Sequence, residues 1–105
     1  MSGILDGINI LDLSRILAGP YTAQMLSDLG ANITKIEAPW GDDTRGWGPP
    51  FATDFDGERV AAYFLCCNRG KTILQMNLKE EKDRLMELIE WADVIVENFK
   101  PGTLE

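Results

Sequence analysis

Branched and apolar residues gather at four places along the chain, each bounded by turn-forming residues. Ile8, Ile10, Leu11 and Leu13 form a short run typical of a strand covered on both faces. Asn32–Glu37, with Ile33 and Ile36, Thr72–Met76, with Ile73 and Leu74, and Asp93–Glu97, nearly all apolar, predict three more strands, the last of them central and parallel. Between the first two lies a helical signature. Pro20 suits a first turn, where its missing N–H is not needed, and Gly30 suits a left-handed C-cap. Ala23, Met25, Leu26 and Leu29 form the predicted apolar stripe, with Thr22, Gln24 and Asp28 beside it. A second helix is expected from about Leu78 to Ala92. Asn77 and Glu80 stand at capping-box spacing, and Leu85, Leu88, Ile89 and Ala92 share one face.

Strand, Leu17–Pro20 turn, helix and strand make a compact βαβ crossover, expected to be right-handed. The pattern predicts an α/β fold: Rossmann-like βαβ units with a mainly parallel sheet. In such sheets ligands bind outside the carboxyl ends of strands, near helix N-termini, where Arg15 and residues 16–20 would stand. Two regions break the rhythm. Residues 38–58 are dominated by Gly, Pro and Asp but carry Trp40, Trp47 and Phe51, so they read as one long ordered loop lying against another surface. Val60–Cys67 is apolar and fits a short buried helix or a strand equally well. Two clear helices cannot cover both faces of four strands, so an exposed sheet edge is expected. The chain reads as the first part of a larger α/β domain.

Composition narrows the partners. At 105 residues the chain is one domain at most. A net charge of −7 argues against nucleic acid or an anionic membrane as partner. No run is long enough to span a bilayer, and the start MSGILDG has neither signal nor transit character, so a cytoplasmic address is expected. Histidine is absent, and the two cysteines are the neighbours Cys66 and Cys67, so a zinc site is not expected and a reducing compartment is. Several stretches suggest chemistry, each beside a plainer alternative. Arg15 could meet an anion or be a surface arginine. Gly41-Asp42-Asp43-Thr44-Arg45 could be a metal or phosphate loop or a solvated turn with an internal Asp–Arg pair. Arg69 and Lys71 could hold a phosphate or form a basic turn. Asn98-Phe99 could dock a nucleotide at a strand's carboxyl end or simply be a strand terminus. Cys66 and Cys67 read as core residues rather than nucleophiles.

Taken in order, LDGINILDLSRILAGPYTAQMLSDLGANITKIE, GDDTRGWGPPF, NRGKTILQMNLK and ADVIVENFKPGTL resemble the class III CoA-transferases, which include formyl-CoA and carnitine CoA-transferases and α-methylacyl-CoA racemases. The resemblance runs from about Ile4 to the end of the chain. The GDDTR…WGPPF form is most similar to the branch using succinyl-CoA or other dicarboxylic acyl groups. The resemblance implies that the chain, 1–105, is a partial CoA-binding domain, the N-terminal part of a large domain that two interlocked chains each carry with a small domain. It implies acyl-CoA and a carboxylic acid as substrates and no tightly bound cofactor. A homodimer or an association with a longer homologue is also implied, and a mitochondrial address is what the dicarboxylate branch would add. The R-x-L-A-G-P turn places Arg15, Ile16, Leu17 and Ala18 in the CoA site. The segment after the third strand implicates Met76 and Lys79 at adenosine. The E-N-F stretch implicates Asn98 and Phe99 at pantetheine and diphosphate. Ala38 stands where the family often has a basic residue. The family's catalytic aspartate, which forms an acyl anhydride and then a CoA thioester, lies well downstream of E-N-F, so Asp42, Asp43 and Asp93 are not expected to replace it. The expected activity is CoA transfer from an acyl-CoA such as succinyl-CoA to a carboxylic acid, with this stretch inactive alone. The alternatives are a non-catalytic CoA-binding or dimerising module, or a piece of a racemase.

Overall fold

The computed structural model describes residues 3–53 and 55–103. Four parallel strands form the main sheet: β1 (Asn9–Asp12), β2 (Asn32–Glu37), β5 (Lys71–Gln75) and β6 (Val94–Val96), in the order β5-β2-β1-β6. Helix α1 (Ala18–Asp28) joins β1 to β2, and α3 (Lys82–Trp91) joins β5 to β6. The β2–β5 connection carries a 3-10 turn (Asp43–Gly46), an antiparallel pair β3 (Phe51–Thr53) and β4 (Arg59–Ala61), and a short helix α2 (Ala62–Leu65). Among the described residues no helix is long and apolar enough to cross a membrane.

The two faces of the sheet are filled by different helices, as the period-2 alternation of strand side chains requires. Ile10 and Ile33 pack with Ala23 of α1 and Ala31. Leu11, Leu13 and Ile36 point the other way, packing with Met76 and with Leu85, Leu88, Ile89 and Ala92 around α3. Fully burying a residue such as Ile10 or Leu11 stabilises by about 1.5–3 kcal/mol, so these two clusters hold the strands in register.

Several local expectations are corrected. Gln24 is buried, while Met25 and Leu29 are exposed. The Gln24 amide donates to the Cys66 carbonyl at 2.8 Å and accepts the Arg69 N–H at 2.7 Å, so it ties α1 to the β2–β5 connection. The expected box over Asn77 is made with Glu81, not Glu80. The Glu81 carboxylate accepts the Asn77 N–H at 2.9 Å, and Asn77 Oδ1 accepts the Lys79 N–H at 3.0 Å. It caps a turn, and α3 starts only at Lys82. Val60–Cys67 is strand first and helix second. Strand β6 is parallel but lies at the sheet edge, with Val94 and Ile95 exposed. Gly30 sits just past α1 with φ 108°, as its C-cap role demands.

Candidate functional site

The order β5-β2-β1-β6 reverses direction between β1 and β6, since the chain first builds outward from β1 on one side and then returns to its other side. The crevice outside the carboxyl ends at such a switch point is where open α/β sheets take ligands. Residues 13–17 leave β1 there, and Glu97–Phe99 leave β6 beside them. Helix α1 begins close against the strand end. A Cβ on Gly19 would fall on Ser14 Cβ and Oγ, so only glycine lets the helix approach this near.

The loop between them has an unusual backbone. Ile16 has φ 74°, and it is the single non-glycine residue with positive φ among the described residues. A β-branched side chain in that region costs about 1–3 kcal/mol. Side chains from elsewhere hold the surrounding backbone groups. Asn98 grips Arg15 from both sides: its Oδ1 accepts the Arg15 N–H at 3.1 Å, and its Nδ2 donates to the Arg15 carbonyl at 2.8 Å. Asp12 accepts the Ser14 N–H at 2.9 Å and also the Ser14 hydroxyl. Lys35 Nζ donates to the Ser14 carbonyl at 3.0 Å.

Beneath the loop runs a buried charge network that alternation explains. Asp12, Lys35 and Glu37 lie in phase with Ile10 and Ile33, so the face covered by α1 changes from apolar to charged toward the carboxyl ends. Lys71 Nζ donates to Asp12 Oδ2 at 2.8 Å, to the Pro20 carbonyl at 2.9 Å and to Asn68 Oδ1 at 2.9 Å. Lys35 Nζ stands 3.3 Å from Asp42 Oδ2. Arg45 meets Glu37 with two hydrogen bonds of 2.8 Å and lies over the Phe64 ring at 3.9 Å. Lys35, Arg45 and Lys71 thus balance Asp12, Glu37 and Asp42, and among the described residues no buried side-chain polar atom lacks a hydrogen-bond partner. Burial pushes the Asp42 carboxyl up, but hydrogen bonds from the Thr44 N–H and hydroxyl, with the Lys35 ammonium, outweigh it and hold it below the ordinary carboxylate range. Burial also pushes the Lys71 ammonium down, an effect that Asp12 opposes.

The residues expected in the site fall into two groups, with Lys79 apart from both. Arg15, Leu17 and Ala18 are exposed on the loop, Ile16 is half-buried in it, and Asn98 joins them. Met76 and Phe99 stand in the apolar cluster under α3. Met76 is only 1% exposed and its N–H donates to the Glu37 carbonyl at 2.8 Å, so its side chain is core. Lys79 is exposed on the turn before α3. A cleft of about 670 Å³ opens beyond the ends of β2 and β5, lined in part by Glu37, Trp40, Arg45, Arg59 and Gln75.

Other candidates take up structural positions. Arg69 pairs with Asp28 of α1 at 2.7 Å, and Lys71 is enclosed in the network. Segment 41–45 is not a solvated turn: Asp42 and Thr44 are buried and Arg45 pairs with Glu37. Among the described residues no three His, Cys, Asp or Glu gather as metal ligands. Of the aromatics in this connection, Trp40 and Trp47 are exposed, Trp47 standing edge-on to Tyr63 at 5.4 Å, and the Phe51 ring lies under the Arg59 guanidinium. The Cys66 and Cys67 sulfurs lie 3.3 Å apart, and burial, then Cys66, pushes the Cys67 thiol up to about 11. Asp12, Ser14, Lys35 and Glu37 are not among the candidates that the sequence suggests. The signal that marks them is charge in phase with the apolar positions of a covered strand.

A parallel sheet of this order, with loops converging at its switch point, belongs to the Rossmann-like α/β class. Within that class the chain belongs to CoA-transferase family III, whose family model matches residues 5–105. It is 49% identical over 105 residues to succinyl-CoA:mesaconate CoA-transferase of Haloarcula marismortui, covering 98% of this chain and 26% of that protein. It is 47% identical over 103 residues to succinyl-CoA:glutarate CoA-transferase of Mus musculus, covering 95% of this chain and 22% of that one. Among solved structures, a CAIB/BAIF family protein from Brucella suis superposes with a TM-score of 0.95 at 49% identity, over 99% of this chain and 28% of that chain. The chain therefore spans about a quarter of the length of the curated relatives it matches.

Proposed function

We propose that this chain forms the N-terminal CoA-binding part of an enzyme that moves CoA from an acyl-CoA, succinyl-CoA foremost, to a carboxylic acid. The observation that carries this reading is the double hydrogen bond from the Asn98 amide to the Arg15 backbone. It unites two stretches far apart in sequence, R-x-L-A-G-P and E-N-F, at the crevice where an α/β sheet takes its ligand. Arg15 stands there with a half-exposed guanidinium, suited to a phosphate. Relatives named for succinyl-CoA with mesaconate or glutarate favour dicarboxylic acids as the acyl group and the acceptor.

Transfer needs an accessible carboxylate to attack the thioester carbonyl, expel the CoA thiolate and then receive it back. Asp12, Glu37 and Asp42 are buried and engaged with cations, so none serves as that nucleophile. Since the resemblance puts the catalytic aspartate well downstream of E-N-F, the 105-residue chain is expected to bind CoA without transferring it. Calorimetric titration with CoA tests the first part. Saturable heat is expected, and no heat up to millimolar CoA would overturn it. Incubation with succinyl-CoA and glutarate tests the second, since any glutaryl-CoA formed by the pure chain would overturn it.

A further inference from the structure

We infer that Asp42 is a positioning residue: it holds Ile16 in its left-handed conformation and so shapes the loop that receives CoA, an inference that rests on the CoA-binding reading above. Asp42 is 5% exposed and faces the loop from the β2–β5 connection. Its Oδ1 accepts the Thr44 N–H at 2.9 Å and the Thr44 hydroxyl at 2.7 Å, which fixes the carboxylate plane. Its own N–H donates to Glu37 Oε1 at 3.0 Å, which fixes its backbone to the end of β2. The remaining oxygen, Oδ2, is thereby aimed at the loop. It stands 3.4 Å from the Ile16 N–H and 3.3 Å from Lys35 Nζ, and Lys35 in turn holds the Ser14 carbonyl.

The geometry answers a physical need. A branched residue leaves positive φ unless its neighbours over-determine it. Asn98 fixes residue 15 and Lys35 fixes residue 14, but the Ile16 N–H itself is received by Asp42. At 3.4 Å this is a long hydrogen bond, and the charge of the enclosed carboxylate adds an attraction that a neutral acceptor would lack. The same residue belongs to the segment Gly41–Arg45, whose Gly41 and Arg45 line the cleft beyond β2 and β5.

The test is Asp42→Asn, which keeps shape and removes charge. In the wild type, Ile16 should show a strong intraresidue NOE between its amide and α protons, the mark of positive φ. In Asp42→Asn that NOE should weaken, and CoA affinity should fall at least tenfold. Leu26→Ala, which opens the core under the last turns of α1, serves as the control for stability alone. It should lower the melting temperature while leaving both the NOE and the affinity near wild type. An unchanged NOE in Asp42→Asn, or an equal affinity loss in Leu26→Ala, would overturn the inference. If Asp42→Asn does not fold, the double variant Ile16→Gly/Asp42→Asn decides. Glycine takes φ 74° without strain, so recovered folding supports the inference and continued failure overturns it. A wild type that shows the NOE but binds no CoA would overturn the functional reading alone, and the comparison of NOEs would still decide what Asp42 does.

Discussion

Replacing Lys71 with methionine is the most informative perturbation of the buried network. The side chains of Lys71 and Asp12 are both 0% exposed, and their charged atoms meet at 2.8 Å. Methionine keeps most of the volume and removes the charge, together with the hydrogen bonds to Asp12, the Pro20 carbonyl and Asn68. Asp12 keeps its contacts to Ser14 but loses its cation. Breaking a buried pair from one side costs about 3–5 kcal/mol, because an uncompensated charge is left behind. Against a total stability of about 5–15 kcal/mol for a domain this is a large share, and it corresponds to a fall of roughly 12–40 °C in melting temperature. Urea denaturation of wild type, Lys71→Met, Asp12→Asn and the double variant measures it. The double variant should recover much of the loss, since neither charge then remains buried. A loss below about 1 kcal/mol in Lys71→Met, or a double variant no better than the single, would refute the view that charge compensation holds this end of the sheet.

Asn98→Ala should cost about 1–2 kcal/mol and lower CoA affinity, while Asn98→Asp should recover only the bond from the Arg15 N–H, because its carboxylate faces the Arg15 carbonyl; calorimetric titration and urea denaturation read the two effects. Gly19→Ala should destabilise by about 1–3 kcal/mol through overpacking against Ser14, seen as a lower urea midpoint, and a neutral result would contradict the close approach of α1. Asp42 has a folded pKa below its ordinary value of 3.8, so its contribution is fully present above that pH and is lost as the pH falls through the folded value. The unfolding free energy of the wild type should therefore drop more steeply than that of Asp42→Asn below about pH 4, as urea titrations at stepped pH would show.

The strands, their parallel arrangement and the two main helices follow from the linear pattern of the chain. Ile10, Leu11 and Leu13 announce a strand covered on both faces, and Leu85, Leu88, Ile89 and Ala92 announce a helix that must bury one side. Pro20 and Gly30 mark the ends of α1 because their backbone preferences are local. The switch point beside the first strand's carboxyl end is foreshadowed by the turn at Leu17–Pro20, because a parallel sheet must start a helix there. What a sequence read residue by residue misses is which charges are buried. Asp12 and Lys35 read as ordinary polar positions, and Lys71 as a phosphate holder or a basic turn, because burial depends on what lies across the sheet and not on neighbours in the chain. The bond between Asn98 and Arg15 spans a sequence separation of 83 residues. It exists only because β6 returns to the far side of β1. The left-handed backbone of Ile16 is equally invisible, since an isolated isoleucine avoids it. Local propensity and periodicity thus determine the elements and their order. Closure of the sheet decides which side chains meet at its carboxyl edge, and so decides the shape of the loop that would receive CoA.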